Sequence, residues 1–319
     1  NTLIGGEAGD ALTDADYNVA IGYLALSGDT KGSRSVAIGR SALQVQNFTS
    51  ATNAYNVAIG FQCGDSVTTG IQNTLIGGLA GDSITTANNN TALGYNSLGL
   101  NTTGNSNVAI GYAALDANTT ASNNIAVGAS ALTANLTGAS NTAVGTSALT
   151  ATTTGVENTA VGYLSGASNT TSSYSTFIGK GAGYYSTGAQ NTYLGEQSGY
   201  YVTSGAKNTI LGRYSGNQGG LDIRTASNYI VLSDGDGVPK YYNTNQGRNV
   251  WNTTAGSYAA AFQHTGSGAY GVFCQLSGAS RNYYFGAHNG SAYDFIVGGT
   301  GNVLNTNNSY GAISDVKLK

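Results

Sequence analysis

The side chains of this sequence best equipped to recognise another molecule are its tyrosines, 22 of them beside 7 Phe and a single Trp. Two adjacent pairs stand out, Tyr184 with Tyr185 and Tyr200 with Tyr201. A surface tyrosine offers a sugar ring a flat apolar face and a hydroxyl at once, so these four are candidate receptor contacts. Trp251, His264, Tyr283, Tyr284 and His288 form a second candidate set nearer the C-terminal end. Enzyme chemistry is harder to find. The carboxylates are scattered over turn-like sequence, with no paired array and no Ser/His/Asp grouping. Asp234 and Asp236 lack the further spaced oxygen ligands of a calcium loop and read as a tight turn. Gly179-Lys-Gly-Ala-Gly183 mimics a phosphate loop without its Gly-Lys-Ser/Thr ending. Cys63 and Cys274 are far apart and read as small buried thiols. No cofactor and no metal site is expected.

The elements that must position these residues come from a repeat. Asn-Val-Ala-Ile-Gly and close variants start at Asn1, Asn18, Ser35, Asn56, Asn73, Asn90, Asn107, Asn124, Asn141, Asn158, Ser175, Asn191 and Asn208. The start-to-start distance is 17 in ten of twelve intervals and 21 and 16 in the other two. So strict a period means stacked units rather than one globular core. The fifth position is always Gly, which asks for positive φ or close backbone approach. The fourth is Ile, Val or Leu and the second Val, Ile or Thr, a β-branched pattern that favours a strand. Positions two and four share one strand face and are expected to bury the core, leaving the small third position to face partner chains. Thr columns on solenoids can bind ice, but a Thr buried at position two would be unavailable for it.

The eighth position is Ala, Ser or Cys, and the ninth is Leu or Gly and nothing else. This reads as a second short strand or bend that closes each rung. Positions ten to seventeen have the composition of turns. The position-one Asn side chains, stacked at one rung spacing, predict an amide ladder. Asn101, Asn118 and Asn135, each in an Asn-x-Thr triplet, follow from the Asn/Thr-rich turns. Tyr184 and Tyr200 share position ten, and Tyr185 and Tyr201 share position eleven, so they should stack across two rungs. Tyr23, Tyr95, Tyr112 and Tyr163 share position six and should point outward.

The sequence therefore predicts an all-β chain, a parallel β-solenoid or β-roll of about thirteen rungs over residues 1–227, roughly 60 Å long at sheet spacing. Such rungs stabilise one another by stacking. The few large apolar residues per repeat predict that several copies, three by preference, share the burial. Residues 228–313 form a β-rich distal segment and 314–319 a separate tail. Only 8% of residues are charged and the net charge is −3, without a basic run, which argues against nucleic acid. No run of 18 apolar residues exists, so no membrane insertion is expected. The absence of Met, and a first residue that falls on the start of a repeat, suggest a fragment with more chain upstream.

The pentad with its invariant Gly resembles the head repeats of trimeric autotransporter adhesins, which build a trimeric left-handed β-roll, and also the arrays of bacteriophage tail fibres. The last six residues, Ser314-Asp-Val-Lys-Leu-Lys319, resemble the start of the intramolecular chaperone of phage tail fibres and tailspikes, the S74 peptidase family. That resemblance implies a chaperone that trimerises the fibre and then cuts itself off before its Ser. By the match, Ser314 would be the nucleophile, Lys319 its assistant and Ile313–Ser314 the scissile bond. A neutral Lys can take a hydroxyl proton. Residues 239–313 resemble the interwoven β segment that precedes this chaperone.

These resemblances favour a viral tail fibre: a homotrimeric, extracellular virion protein. Its partners would be a host-surface glycan and, through an upstream region, the phage tail or baseplate. It would have no enzyme activity beyond chaperone-dependent self-cleavage. An adhesin head is the alternative, marked by a signal peptide, stalk and membrane anchor in flanking sequence. A polysaccharide-depolymerising tailspike is another, and would need Asp222, Asp234, Asp236 and Asp294 to converge.

Overall fold

The computed structural model describes residues 1–251 and the strands Phe285–His288, Tyr293–Val297 and Val303–Asn305. The chain divides into two units, Asn1–Ser257 and Tyr258–Lys319. In the first, thirteen three-residue strands run from Thr2–Ile4 to Thr209–Leu211, and a fourteenth, Ile230–Ser233, follows. They pair in parallel and in register, with Val19 opposite Val36, Ala20 opposite Ala37 and Ile21 opposite Ile38. The unit is a parallel β-solenoid with a repeat of about 17 residues. The second strand expected in each rung is instead a run of turns over positions six to eleven. Its backbone is still paired: the Leu115 N–H donates to the Ala131 carbonyl at 2.9 Å. The longer 21-residue rung spends its extra residues in a loop whose Thr52–Asn53 pairs with Gly32–Ser33.

The position-five Gly meets both expectations made of it. At Gly111 φ is +130°, and a Cβ would lie 2.7 Å from the carbonyl carbon and oxygen of Gly128 on the next rung. No other residue could make this corner without pushing the rungs apart.

The inward and outward faces are the reverse of those expected. Ala20, Ala37, Ala58, Ala109 and Ala126 at position three are fully buried, whereas positions two and four point outward. A three-residue strand sends either one side chain inward or two. Here the lumen is narrow, closed on its far side by positions eight and nine, so it admits only the single central residue. The partner-facing surface assigned to the Ala column is therefore wrong, and so is the burial of the position-two Thr residues.

The core then follows a size-exchange rule that explains position nine. Where the strand's central residue is large, as at Leu75, Phe177, Tyr193 and Ile210, position nine is Gly in its own rung and in the rung before. A Cβ on Gly166 would lie 2.7 Å from the Phe177 ring, and one on Gly199 2.5 Å from the Tyr193 ring. Where two successive central residues are Ala, position nine is Leu: Leu26, Leu43, Leu98, Leu115, Leu132 and Leu149, all fully buried. Each of these leucines holds φ between +50° and +56°, a strained conformation that their burial outweighs.

The position-one Asn column is buried and bonds mainly to backbone. Asn18 Nδ2 donates to the Gly32 carbonyl at 2.8 Å, and its Oδ1 accepts from the Ser35 N–H at 2.8 Å. Direct amide contacts, such as Asn158 Nδ2 to Asn141 Oδ1 at 3.1 Å, supplement this. A second internal ladder runs from Asn135 through Asn118 to Asn101, with steps of 3.0 and 2.8 Å. These three Asn side chains are buried, so none can accept a glycan in the folded chain.

After the fourteenth rung, Pro239–Asn243 and Asn249–Trp251 add antiparallel to the same sheet. Asp234 shapes the intervening turn, accepting from the N–H groups of Val238 at 2.9 Å and Asp236 at 3.1 Å, with Lys240 paired at 2.9 Å. In the second unit the three described strands form an antiparallel sheet, in the order of the chain.

Candidate functional site

The four tyrosines of the two adjacent pairs come together on the solenoid surface. The Tyr184 and Tyr200 rings stack across the rungs at 5.0 Å and 18°, and those of Tyr185 and Tyr201 at 6.2 Å and 15°. Within each rung the two rings meet edge to face, at 4.6 Å in one and 4.9 Å in the other. The outer column is the more open, with Tyr185 42% and Tyr201 52% exposed. Burial, and then the neighbouring phenols, push the Tyr200 hydroxyl above its ordinary pKa. It therefore stays protonated at neutral pH and can donate a hydrogen bond.

Three depressions adjoin the quartet. The first lies over Tyr184 and Tyr200 with Lys180 and Gln197 at its lip. The second shares Gln197 and Tyr200 with it and adds Arg213 and Gln218. The third shares Tyr201 with the second and reaches Asp222 and Arg224. These polar neighbours were not foreseen. One signal was available: Gly181 occupies position seven, which carries a side chain in every other rung. A Cβ there would lie 3.2 Å from the Tyr200 ring, so its absence keeps the first depression open.

The remaining candidates lie elsewhere. Trp251 is exposed and packs on Tyr241, with ring centroids 4.8 Å apart. His288 ends a strand of the second unit, opposite Tyr293. His264, Tyr283, Tyr284, Ser314 and Lys319 lie outside the described residues, as does Cys274. Tyr23, Tyr95, Tyr112 and Tyr163 are all exposed; Tyr163 lines the first depression, and Tyr95 stacks on Tyr112 at 6.0 Å and 10°. On another corner Arg34 lies over the Tyr17 ring at 4.9 Å and the Tyr55 ring at 5.9 Å.

Two of the four carboxylates a depolymerase would need are otherwise engaged. Hydrogen bonds from Arg224 hold Asp222 below the usual carboxylate range, and those from Lys240 do the same to Asp234. Neither can keep a proton to deliver as a general acid near neutrality. Among the described residues no three His, Cys, Asp or Glu side chains gather as metal ligands, and no helix is long and apolar enough to cross a membrane. No protein-family model, no curated protein and no solved structure matches this chain.

The outward face of the strands is a second candidate surface. Positions two and four form two columns, fourteen rungs long, without a single charged residue. Ile4, Leu93, Leu194, Leu211 and Leu232 are among its exposed members. At sheet spacing the stripe is about 65 Å long and about 10 Å wide, hence roughly 650 Å². Thr fills position two in eight of the fourteen rungs, so the stripe is uncharged and partly apolar, and its area approaches the roughly 800 Å² one partner gives to a standard interface.

Proposed function

We infer that this chain is part of a homotrimeric viral tail fibre, a passive rod that holds a virion to a glycan on the host surface. The observation that carries the association is the uncharged outward stripe. Copies of this chain meet there, through Val, Ile, Leu and Thr of positions two and four, and not through the Ala column. The number three, the viral setting and attachment to a tail or baseplate through an upstream region rest on the resemblance to fibre arrays and on the Ser314–Lys319 tail. Self-cleavage at Ile313–Ser314 belongs to the same resemblance.

Light scattering on the full chain tests the association. The expected mass is three times the 32.2 kDa of one chain. Ile110→Asp with Val127→Asp should dissociate it, because each copy would have to desolvate charges without partners. A folded monomer at micromolar concentration would refute the assignment. A monomer that also depressed the freezing point of its solution would show that the stripe faces ice instead.

A further inference from the structure

We propose that the tyrosine quartet and its three depressions form one groove, running along the solenoid axis, for a linear and largely uncharged oligosaccharide. The proposal rests on the attachment reading above and supplies its ligand class.

The rung does not need aromatic side chains where these four stand. Positions ten and eleven of the other rungs hold residues such as Asp65 and Ser66, Asp116 and Ala117, or Thr150 and Ala151, and those rungs close equally well. Four rings side by side at the surface, two exposed and two half-buried, and packed on one another, therefore serve a surface and not the core. Their stacked and edge-on arrangement presents ring faces in two directions, and a tyrosine hydroxyl can donate and accept hydrogen bonds.

The depressions adjoin in series, since neighbours share Gln197, Tyr200 and Tyr201 in their walls. They span roughly four rungs, or about 19 Å at sheet spacing. That is the reach of a short oligosaccharide and more than a monosaccharide can use. Amide and hydroxyl groups of Gln197, Gln218, Ser215 and Thr203 supply hydrogen bonds along the length.

Charge decides the ligand class. Lys180 and Arg213 both reach Glu196, at 3.9 Å each, and Arg224 holds Asp222 at 2.8 Å. Three cations thus exceed two carboxylates by one charge, but each has a carboxylate within 4 Å and stands exposed, so the attraction left for a polyanion is weak and screened by salt. Positions ten and eleven also lie beyond the corner that closes the strand, apart from the position-two and position-four stripe. Copies meeting on that stripe would leave the groove open.

The test uses the full chain and a panel of neutral tetrasaccharides built from glucose, galactose, mannose or N-acetylglucosamine, with a heparin-derived tetrasaccharide as the anionic probe. Saturation-transfer NMR and titration calorimetry are the readouts. At least one neutral probe should bind, with little change between 50 and 500 mM salt. Tyr201→Ala should weaken it about tenfold, one lost stacking contact in affinity terms. Tyr95→Ala, outside the groove, should not. Silence from every neutral probe, preference for the heparin fragment, or binding unchanged in Tyr185→Ala with Tyr201→Ala would each overturn the groove. Light scattering on the same samples separates the two failures: a trimer that ignores these sugars refutes the groove alone, whereas a monomer refutes the assembly.

Discussion

If the core obeys a size exchange between strand and turn, a large residue removed from one side should be replaceable on the other. Phe177→Ala deletes a fully buried ring and should cost about 3 to 5 kcal/mol. Gly166→Leu alone should also destabilise. Its Cβ would lie 2.7 Å from the Phe177 ring, an overpacking worth about 1 to 3 kcal/mol. Left-handed backbone, at the φ of +60° that Gly166 holds, adds about 1 kcal/mol for a residue with a Cβ. Together, however, the two changes leave the rung of Gly166 with Ala160 at position three, a Leu at position nine and Asn169 at position twelve, and put an Ala at position three of the rung that follows. This is the arrangement of the rung holding Ala126, Leu132 and Asn135. Burying the new Leu returns about 2 to 3 kcal/mol, and the steric clash disappears. The double variant should therefore fall about 1 to 4 kcal/mol below the parent, less than the sum of the two single changes. The coupling energy, the relieved overpacking plus the regained burial, should be about 3 to 6 kcal/mol, at or beyond the roughly 3 kcal/mol usual for residues in contact. Thermal and urea unfolding followed by far-ultraviolet circular dichroism would measure it. A double variant as unstable as the sum of its parts would show that strand and turn are not exchanging volume.

The protonation of three position-ten acids gives a pH dependence of unusual sign. Burial raises Asp65, Asp82 and Asp116 above 3.8, their value when unfolded, so the folded chain binds these protons more tightly. Their protonated forms favour folding at acid pH, and this contribution is lost as pH rises through the raised values. Asp222 and Asp234 are shifted the opposite way but are exposed and carry little weight. The melting temperature should thus be higher near pH 4 than at pH 7, and Asp82→Asn should flatten the difference; a steady fall on acidification would contradict this. Burial pushes the Cys63 thiol up to about 12, and its Sγ lies 3.1 Å from the Leu75 carbonyl. Iodoacetamide at pH 8 should leave it unmodified in the folded chain and label it in urea, as mass spectrometry of the Cys63 peptide would show. The buried Tyr193 hydroxyl lies near Ser186 and Asn208 without a well-formed hydrogen bond. Tyr193→Phe should be neutral or stabilising by up to about 1 kcal/mol, and a clear loss in a urea melt would reveal a bond at that hydroxyl. Finally, Thr150→Tyr with Ala151→Tyr, at positions ten and eleven of a rung whose two side chains make no hydrogen bond, should shift stability by no more than about 0.5 kcal/mol. A drop of several degrees in melting temperature would show that these positions help to build the rung.

Much of the architecture was legible because the period fixes position. Gly5 through Gly212 marked every corner, and β-branched residues at positions two and four marked every strand. Which strand face looks inward was not legible from alternation, since a three-residue strand alternates equally well in either sense. Ile and Val outnumber Ala in bulk, and bulk ordinarily goes inside. The deciding signal lay in pairs of columns: Leu75 with Gly64 and Gly81, against Ala109 with Leu98 and Leu115. Only residues that share a cavity need to trade size in this way. The tyrosine quartet could be placed because equal repeat position means adjacency. Its polar lip could not, because Asp222 and Arg224 belong to a longer rung outside the regular period, and Lys180, Gln197 and Arg213 gave no signal of their own in columns of mixed composition.

The same inversion of faces changes what the outer surface can mean. Had Ile and Val filled the core, the strands would show only their small third position outward, and a partner would be called for by a thin core and not by an exposed aliphatic surface. With Ala inside, each rung is complete as a monomer, closed by Leu or by a large central residue, and still carries aliphatic side chains outward. Folding does not require those side chains, since the interior is already filled without them. A column of fourteen uncharged rungs is nevertheless what a repeated selection against charge on one face would produce, while charged residues such as Lys180, Glu196 and Arg213 stand at position six beside it. Association and sugar recognition then draw on different positions of one rung. The stripe must stay uniform along the whole solenoid to hold copies together, whereas positions ten and eleven can differ from rung to rung. A contact surface for a variable ligand is best placed where the fold is indifferent, and the tyrosine quartet stands there.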